Sequence, residues 1–173
     1  MSILKFPVTE NDHWQGNTAA KIELVEYGDY QCPHCGHSYP IVKAIQEIMG
    51  DDLKFVFRNF PLSYIHRQAK AAALAAEAAA LQNKFWEMHD IIFENQGRLE
   101  PTDLFSYAQA IGLDLEKFRH DIRLEKILEK VESDIESGAR SGVNGTPSFF
   151  VNGKKWEGDW QNKDAFLEYL QNQ

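Results

Sequence analysis

The chain has 173 residues, 43% of them hydrophobic, and a formal charge of −8 with a pI near 5.2. Length and apolar content suit a globular chain with a real core and exclude disorder. The acidic balance argues against nucleic acid or an anionic membrane as partner, since both demand a basic surface. No stretch approaches the about 20 apolar residues of a membrane span, and Met1 to Glu10 lack the charged start and apolar centre of a secretory signal. As written, the chain is expected in the cytoplasm. Were Met1 to stand in for a removed signal, a periplasmic or other extracytoplasmic, oxidising compartment is expected instead.

From Lys21 to Tyr27 the residues Ile22, Leu24, Val25 and Tyr27 read as a buried strand ended by Gly28 and Asp29. Next comes Cys32-Pro33-His34-Cys35, which holds the only two cysteines, and a helix is predicted from about Pro33 to Met49. Tyr39, Ile41, Val42, Ile45 and Ile48 give that helix an apolar stripe, and Gly50 with Asp51 and Asp52 stops it. Leu53 to Phe60 alternates apolar Leu53, Phe55 and Phe57 with Lys54, Val56 and Arg58 as a second strand, which Pro61 ends.

From roughly His66 to Gly138 the pattern is helical throughout. The alanine-rich run Ala69 to Leu81 reads as close helix packing, and the stripe continues through Phe85, Trp86, Met88, Ile91, Ile92 and Phe93. Thr102 and Asp103 predict a helix start and Gly112 its end. Leu115, Phe118, Ile122, Ile127, Val131 and Ile135 predict one last long helix whose Glu and Lys residues form a solvated face. Strand signals return at Ser148 to Val151, Asn152-Gly153 marks a hairpin turn into Lys154 to Trp156, and Lys163 to Leu170 closes the chain as a helix. The order β-α-β, helical block, β-β-α predicts an α/β fold with a mixed sheet interrupted by a helical insertion.

The chemistry is concentrated where the first strand meets the first helix. A helix N-terminus offers unpaired N–H groups and a positive dipole end, which favour thiolate over thiol. A free thiol has a pKa of about 8.5 and the lowest helix-start thiolates reach about 3.5, whereas a helix dipole supplies at most about 2 kcal/mol. The remainder requires hydrogen bonds to the sulfur and a cation, for which a protonated His34 is the candidate. Pro33 suits the first helical turn, where its missing N–H is no loss. A stabilised thiolate makes the corresponding disulfide a stronger oxidant.

Two motifs carry a resemblance. Glu26-Tyr27-Gly28-Asp29-Tyr30-Gln31-Cys32-Pro33-His34-Cys35 and Gly145-Thr146-Pro147-Ser148-Phe149-Phe150-Val151-Asn152-Gly153 resemble the DsbA-like disulfide oxidoreductases of the thioredoxin superfamily over nearly the whole chain. The resemblance implies a thioredoxin fold with an inserted helical domain, residues 1–62 and 139–173 forming the thioredoxin-like part and 63–138 the insert. It implies that Cys32 is the exposed nucleophile and Cys35 the buried resolving thiol. A target dithiol then attacks the oxidised pair at Cys32, Cys35 leaves, and a second substrate thiol releases the mixed disulfide. It also implies a cis Thr146-Pro147 bond, with Thr146 presenting its backbone to an extended substrate peptide, and a proton-moving role for Glu26 as a buried acid. One departure is visible: where DsbA places a buried lysine in the next strand, this chain has Phe55, with Lys54 beside it. The implied partners are protein or peptide thiols and disulfides, a redox partner that resets the dithiol, and glutathione as a further candidate; no cofactor or metal is expected.

Other readings are weaker. A metal-binding module would use Cys32, Cys35, His34 and His37, but His34 lies between the cysteines and no distant Cys pair completes a tetrahedron. Haem attachment needs His directly after the second cysteine, where Gly36 stands. A structural disulfide would close too small a loop to stabilise the chain much. Glutathione-dependent transferases or isomerases share the scaffold but generally lack this dithiol. His13, His66, His89 and His120 read as surface or packing residues.

Overall fold

The computed structural model describes residues 2–173. Met1, on which the expectation about a leader turns, lies outside the described residues. Strand β1 is His13–Gly16, β2 is Ile22–Gly28 and helix α1 is Pro33–Met49; a single 3₁₀ turn then leads into β3, Leu53–Asn59. Five helices follow: α2 (Ala69–Ala80), α3 (Phe85–Glu94), α4 (Pro101–Ala110), α5 (Leu115–Asp121) and α6 (Glu125–Arg140). The chain finishes with β4 (Ser148–Val151), β5 (Lys154–Trp156) and α7 (Lys163–Gln171). Among the described residues, no helix is long and apolar enough to cross a membrane.

The sheet runs β1-β3-β2-β4-β5; β2 and β3 are parallel and every other pair is antiparallel. A parallel pair with both faces covered needs apolar residues on both faces. Leu24, Phe55 and Phe57 accordingly join the larger core beneath α1, α2, α3 and α7, while Val25, Tyr27 and Val56 pack on the opposite side with Phe60, Val143 and Phe150. The alanine run is buried at Ala69, Ala72, Ala73, Ala75, Ala76, Ala78 and Ala79, where the absence of long side chains lets α2 pack closely on its neighbours.

Four expectations are corrected, and one strand is added to those predicted. Strand β1 carries no pattern of its own; its four residues become a strand because β3 offers an unpaired edge. Arg58 is the polar alternate nearest the end of β3. It is buried, with Nε and Nη2 donating to the Asp12 carboxylate at 2.7 and 2.9 Å and Nη1 to the Tyr27 hydroxyl at 2.9 Å. The last long helix is two helices, α5 and α6: the step from Ile122 to Ile127 breaks helical spacing, and the chain is extended at Leu124. Along α6, Lys130 and Asp134 turn inward instead of lying on a solvated face, the ammonium meeting the buried carboxylate at 2.6 Å. Helix α4 starts one turn-residue earlier than predicted: Pro101 is its first residue, Glu100 its cap, and the Asp103 carboxylate accepts the Glu100 N–H at 3.2 Å. In α1 the inward position after Ile45 is Met49, and Ile48 is exposed.

Candidate active site

Strand β2 ends in a short loop, Asp29 to Gln31, that delivers the chain to the start of α1. Cys32 caps this helix with extended backbone and Pro33 occupies its first turn. The Cys32 N–H donates to the Asp29 carbonyl at 3.1 Å and to Asp29 Oδ1 at 3.2 Å. The Asp29 carboxylate also accepts the Gln31 N–H at 2.8 Å, the Leu62 N–H at 2.8 Å and the His66 ring at 2.7 Å. Both cysteines are free thiols.

Cys35 is wholly buried, and its Sγ accepts the Asp29 N–H at 3.4 Å. Cys32, expected to be exposed, has only 4% of its surface accessible. The reason is the turn before β4: Cys32 Sγ lies 3.5 Å from the Thr146 carbonyl, to which its thiol donates while protonated. The Thr146-Pro147 bond is cis.

The two sulfurs differ sharply in acidity. Cys32 is held at about 5, chiefly by the Cys35 thiol donating to its sulfur; burial opposes this, and Thr146 and the Cys35 and His34 backbone N–H groups reinforce it. Thr146 Oγ1 is buried with no partner at hydrogen-bonding distance. Cys35 is pushed well above the ordinary thiol value by burial, by its hydrogen bond to Cys32 and by the charges of Glu26 and Cys32, with the Asp29 N–H working the other way. The contribution of His34 to Cys32 comes through its backbone; its imidazole is exposed and stands edge-on to Trp160, ring centres 6.3 Å apart.

Glu26 sits on the central strand, flanked by Phe57 on β3 and Phe149 on β4, and is buried. Burial, together with the charge of Cys32, pushes its carboxyl up to about 8 against the lowering effect of Ser38. The Ser38 hydroxyl lies 3.2 Å from Glu26 Oε1 and 3.0 Å from the Cys35 carbonyl. Lys54 pairs instead with Glu23, at 3.0 Å, and Phe55 lies opposite Leu24, so no lysine of β3 meets Glu26.

The sequence-predicted residues Cys32, Pro33, His34, Cys35, Glu26, Thr146 and Pro147 are thus gathered at one end of the sheet. Asp29, Ser38, His66 and Gln96 join them without having been singled out. Asp29 lay within the quoted motif, and a carboxylate directly after a strand and three residues before a helix cap is a legible signal for backbone capture. Gln96 carried none. His89 is buried among Tyr30, Tyr39, Phe57 and Phe93, and His13 stacks on Phe85 while pairing with Glu77 at 2.8 Å. Among the described residues, no group of three or more His, Cys, Asp or Glu side chains is arranged to hold a metal ion.

A family model described as thioredoxin matches residues 8–172. Among solved structures, oxidised BdbD from Bacillus subtilis superposes with a TM-score of 0.86 at 25% identity, covering 99% of this chain and 97% of that one. The thiol-disulfide exchange protein α-DsbA2 from Wolbachia pipientis does so with a TM-score of 0.80 at 20% identity, over 93% and 88% of the two chains. In sequence, the chain is 44% identical over 153 residues to a protein named Na(+)/H(+) antiporter NhaA 1 from Mycobacterium sp. strain KMS, covering 87% of this chain and 25% of that protein. The chain spans about a quarter of the length of the curated relatives it matches. It belongs to the thioredoxin family, and its architecture is DsbA-like.

Proposed function

We propose that this DsbA-like thiol-disulfide oxidoreductase is an oxidant that passes a Cys32–Cys35 disulfide to protein dithiols. The observation that carries the reading is the unequal acidity of the two thiols, Cys32 held at about 5 and Cys35 driven far the other way. A thiolate this stable favours the reduced pair and strengthens the disulfide as an oxidant.

In this reading a substrate thiolate attacks Cys32 Sγ of the oxidised enzyme. The Cys32–Cys35 bond breaks, and Cys35 leaves with the bonding electrons and takes a proton from Glu26, which is protonated at neutral pH. A second substrate thiolate attacks the substrate sulfur of the mixed disulfide, and Cys32 leaves as the stabilised thiolate. Two electrons pass to the enzyme, the substrate gains a disulfide, and Glu26 recovers its proton from solvent. Pro33 and the His34 N–H shape the first turn around the sulfur, while Thr146 and Pro147 present backbone to an extended peptide. A redox partner or glutathione resets the dithiol, in an oxidising compartment for net oxidation. Residues 63–138 act as an inserted helical domain beside the thioredoxin-like part, residues 1–62 and 139–173.

The test is oxidation of a reduced dithiol peptide by the Cys32→Ser variant, which is expected to be abolished while the unfolding midpoint survives; full activity would end the reading. Equilibration in glutathione buffers checks the direction, and a potential near the about −270 mV of thioredoxin would defeat the oxidant role.

A further inference from the structure

Gln96 lies in the loop after α3, and both hydrogens of its side-chain amide are used. Nε2 donates to the Tyr30 carbonyl and to the Cys32 carbonyl, each at 2.9 Å. Tyr30 O belongs to the loop leaving β2; Cys32 O opens α1 and also accepts the Gly36 N–H at 3.1 Å. One amide therefore ties loop to helix across the residue that carries the acidic sulfur.

The seat for this amide is Gly36. A Cβ placed there would stand 2.0 Å from Gln96 Oε1 and 2.7 Å from its Cδ, so a side chain at this position would push the amide out of its seat. Other groups of the segment after β3 grip the same loop. The Gln68 N–H donates to Gln31 Oε1 at 2.8 Å, and Leu62 and His66 hold the Asp29 carboxylate that receives the Cys32 N–H.

We propose that Gln96, seated in the space Gly36 leaves, is a positioning residue for dithiol exchange, holding the Cys32 end of α1 so that the sulfur stays aligned with the N–H groups of the first turn. The inference rests on the reading of Cys32 as the nucleophile. It ties the reactivity of the site to the helices between β3 and β4, which contribute no reacting group of their own.

Gln96→Met removes both donors at nearly constant volume, and Gly36→Ala displaces the amide while leaving its donors intact. Alkylation of Cys32 across acidic and neutral pH reads the outcome. Each variant is expected to raise the midpoint of thiolate formation by about one pH unit, a roughly tenfold slower reaction below the midpoint, and to move the pair toward disulfide in a fixed glutathione buffer. In a Gln96→Ala background Gly36→Ala is expected to add nothing, because the space is then free. A wild-type midpoint in Gln96→Met, even with a lowered unfolding midpoint, overturns the proposal, and so do additive effects of the Gly36 and Gln96 changes. An ordinary thiol midpoint in the unmutated protein would instead sink the functional reading, so the two failures are distinguishable.

Discussion

Glu26 and Asp12 are both buried carboxylates in the same sheet's surroundings, yet they titrate in opposite directions. Burial pushes both upward. Asp12 faces the Arg58 guanidinium through two hydrogen bonds, at 2.7 and 2.9 Å, and also accepts the Thr9 N–H at 2.8 Å; together these outweigh burial and hold it below its ordinary value. Glu26 faces phenylalanines on both neighbouring strands and one serine hydroxyl, so burial wins. A buried acid with a cation stays ionised, whereas one without a cation keeps its proton to higher pH. Ser38 stands between the Glu26 carboxyl and the Cys35 carbonyl, whereas the Asp12–Arg58 pair lies where the N-terminal stretch, through Phe6 O and Pro7 O, is tied to Arg58.

The sharpest way to break this comparison is Glu26→Gln. Because the folded-state value of about 8 lies above the ordinary 4.5, the folded protein keeps a proton that the unfolded chain releases between those limits. Stability from this group is therefore fully present below pH 4.5 and declines as pH rises through about 8. The variant is expected to flatten that decline, gaining roughly 5 kcal/mol at most on the alkaline side. Urea unfolding over a pH series measures it, and an unchanged slope would place a counter-charge at Glu26.

Arg58→Met is expected to have the reverse character. It strands Asp12 in a buried site and costs about 3–5 kcal/mol near neutral pH, while the alkylation midpoint of Cys32 stays at its wild-type value. A shifted Cys32 midpoint would show that the two regions are coupled. The smallest effect belongs to Ser38→Ala, which removes the hydroxyl that favours ionised Glu26. The carboxyl is expected to titrate higher by up to about one pH unit, with about 1 kcal/mol of stability lost. Infrared titration of the carboxyl band checks the direction, and a downward shift would mean that Ser38 does not donate to Glu26.

How far the sequence was legible follows the same division. Helix α1 was read at its observed bounds because Pro33 starts it and Gly50 stops it, both local signals. The β4–β5 hairpin was read from Asn152-Gly153, where both residues adopt positive φ. Strand β1 was not, since His13 to Gly16 have no alternation and owe their conformation to pairing with β3. The burial of Arg58 was not legible, because alternation marks two faces of a strand without saying whether the second face meets water. Here the residues from Phe6 to Asp12 cover it. The break before α6 was present in the spacing and went unused.

By itself the sequence determined the reactive group, its place at a strand-to-helix junction and the order of elements, because thiol chemistry, turn residues and periodicity act over a few neighbouring positions. Only the tertiary structure decided what holds the Cys32 thiolate, that Glu26 lacks a cation while Asp12 has one, and that Gln96 fits against Gly36. Each of these depends on what a distant part of the chain brings within a few ångströms. Electrostatic and hydrogen-bond energies are set by that distance and by the exclusion of water, neither of which is written in local sequence.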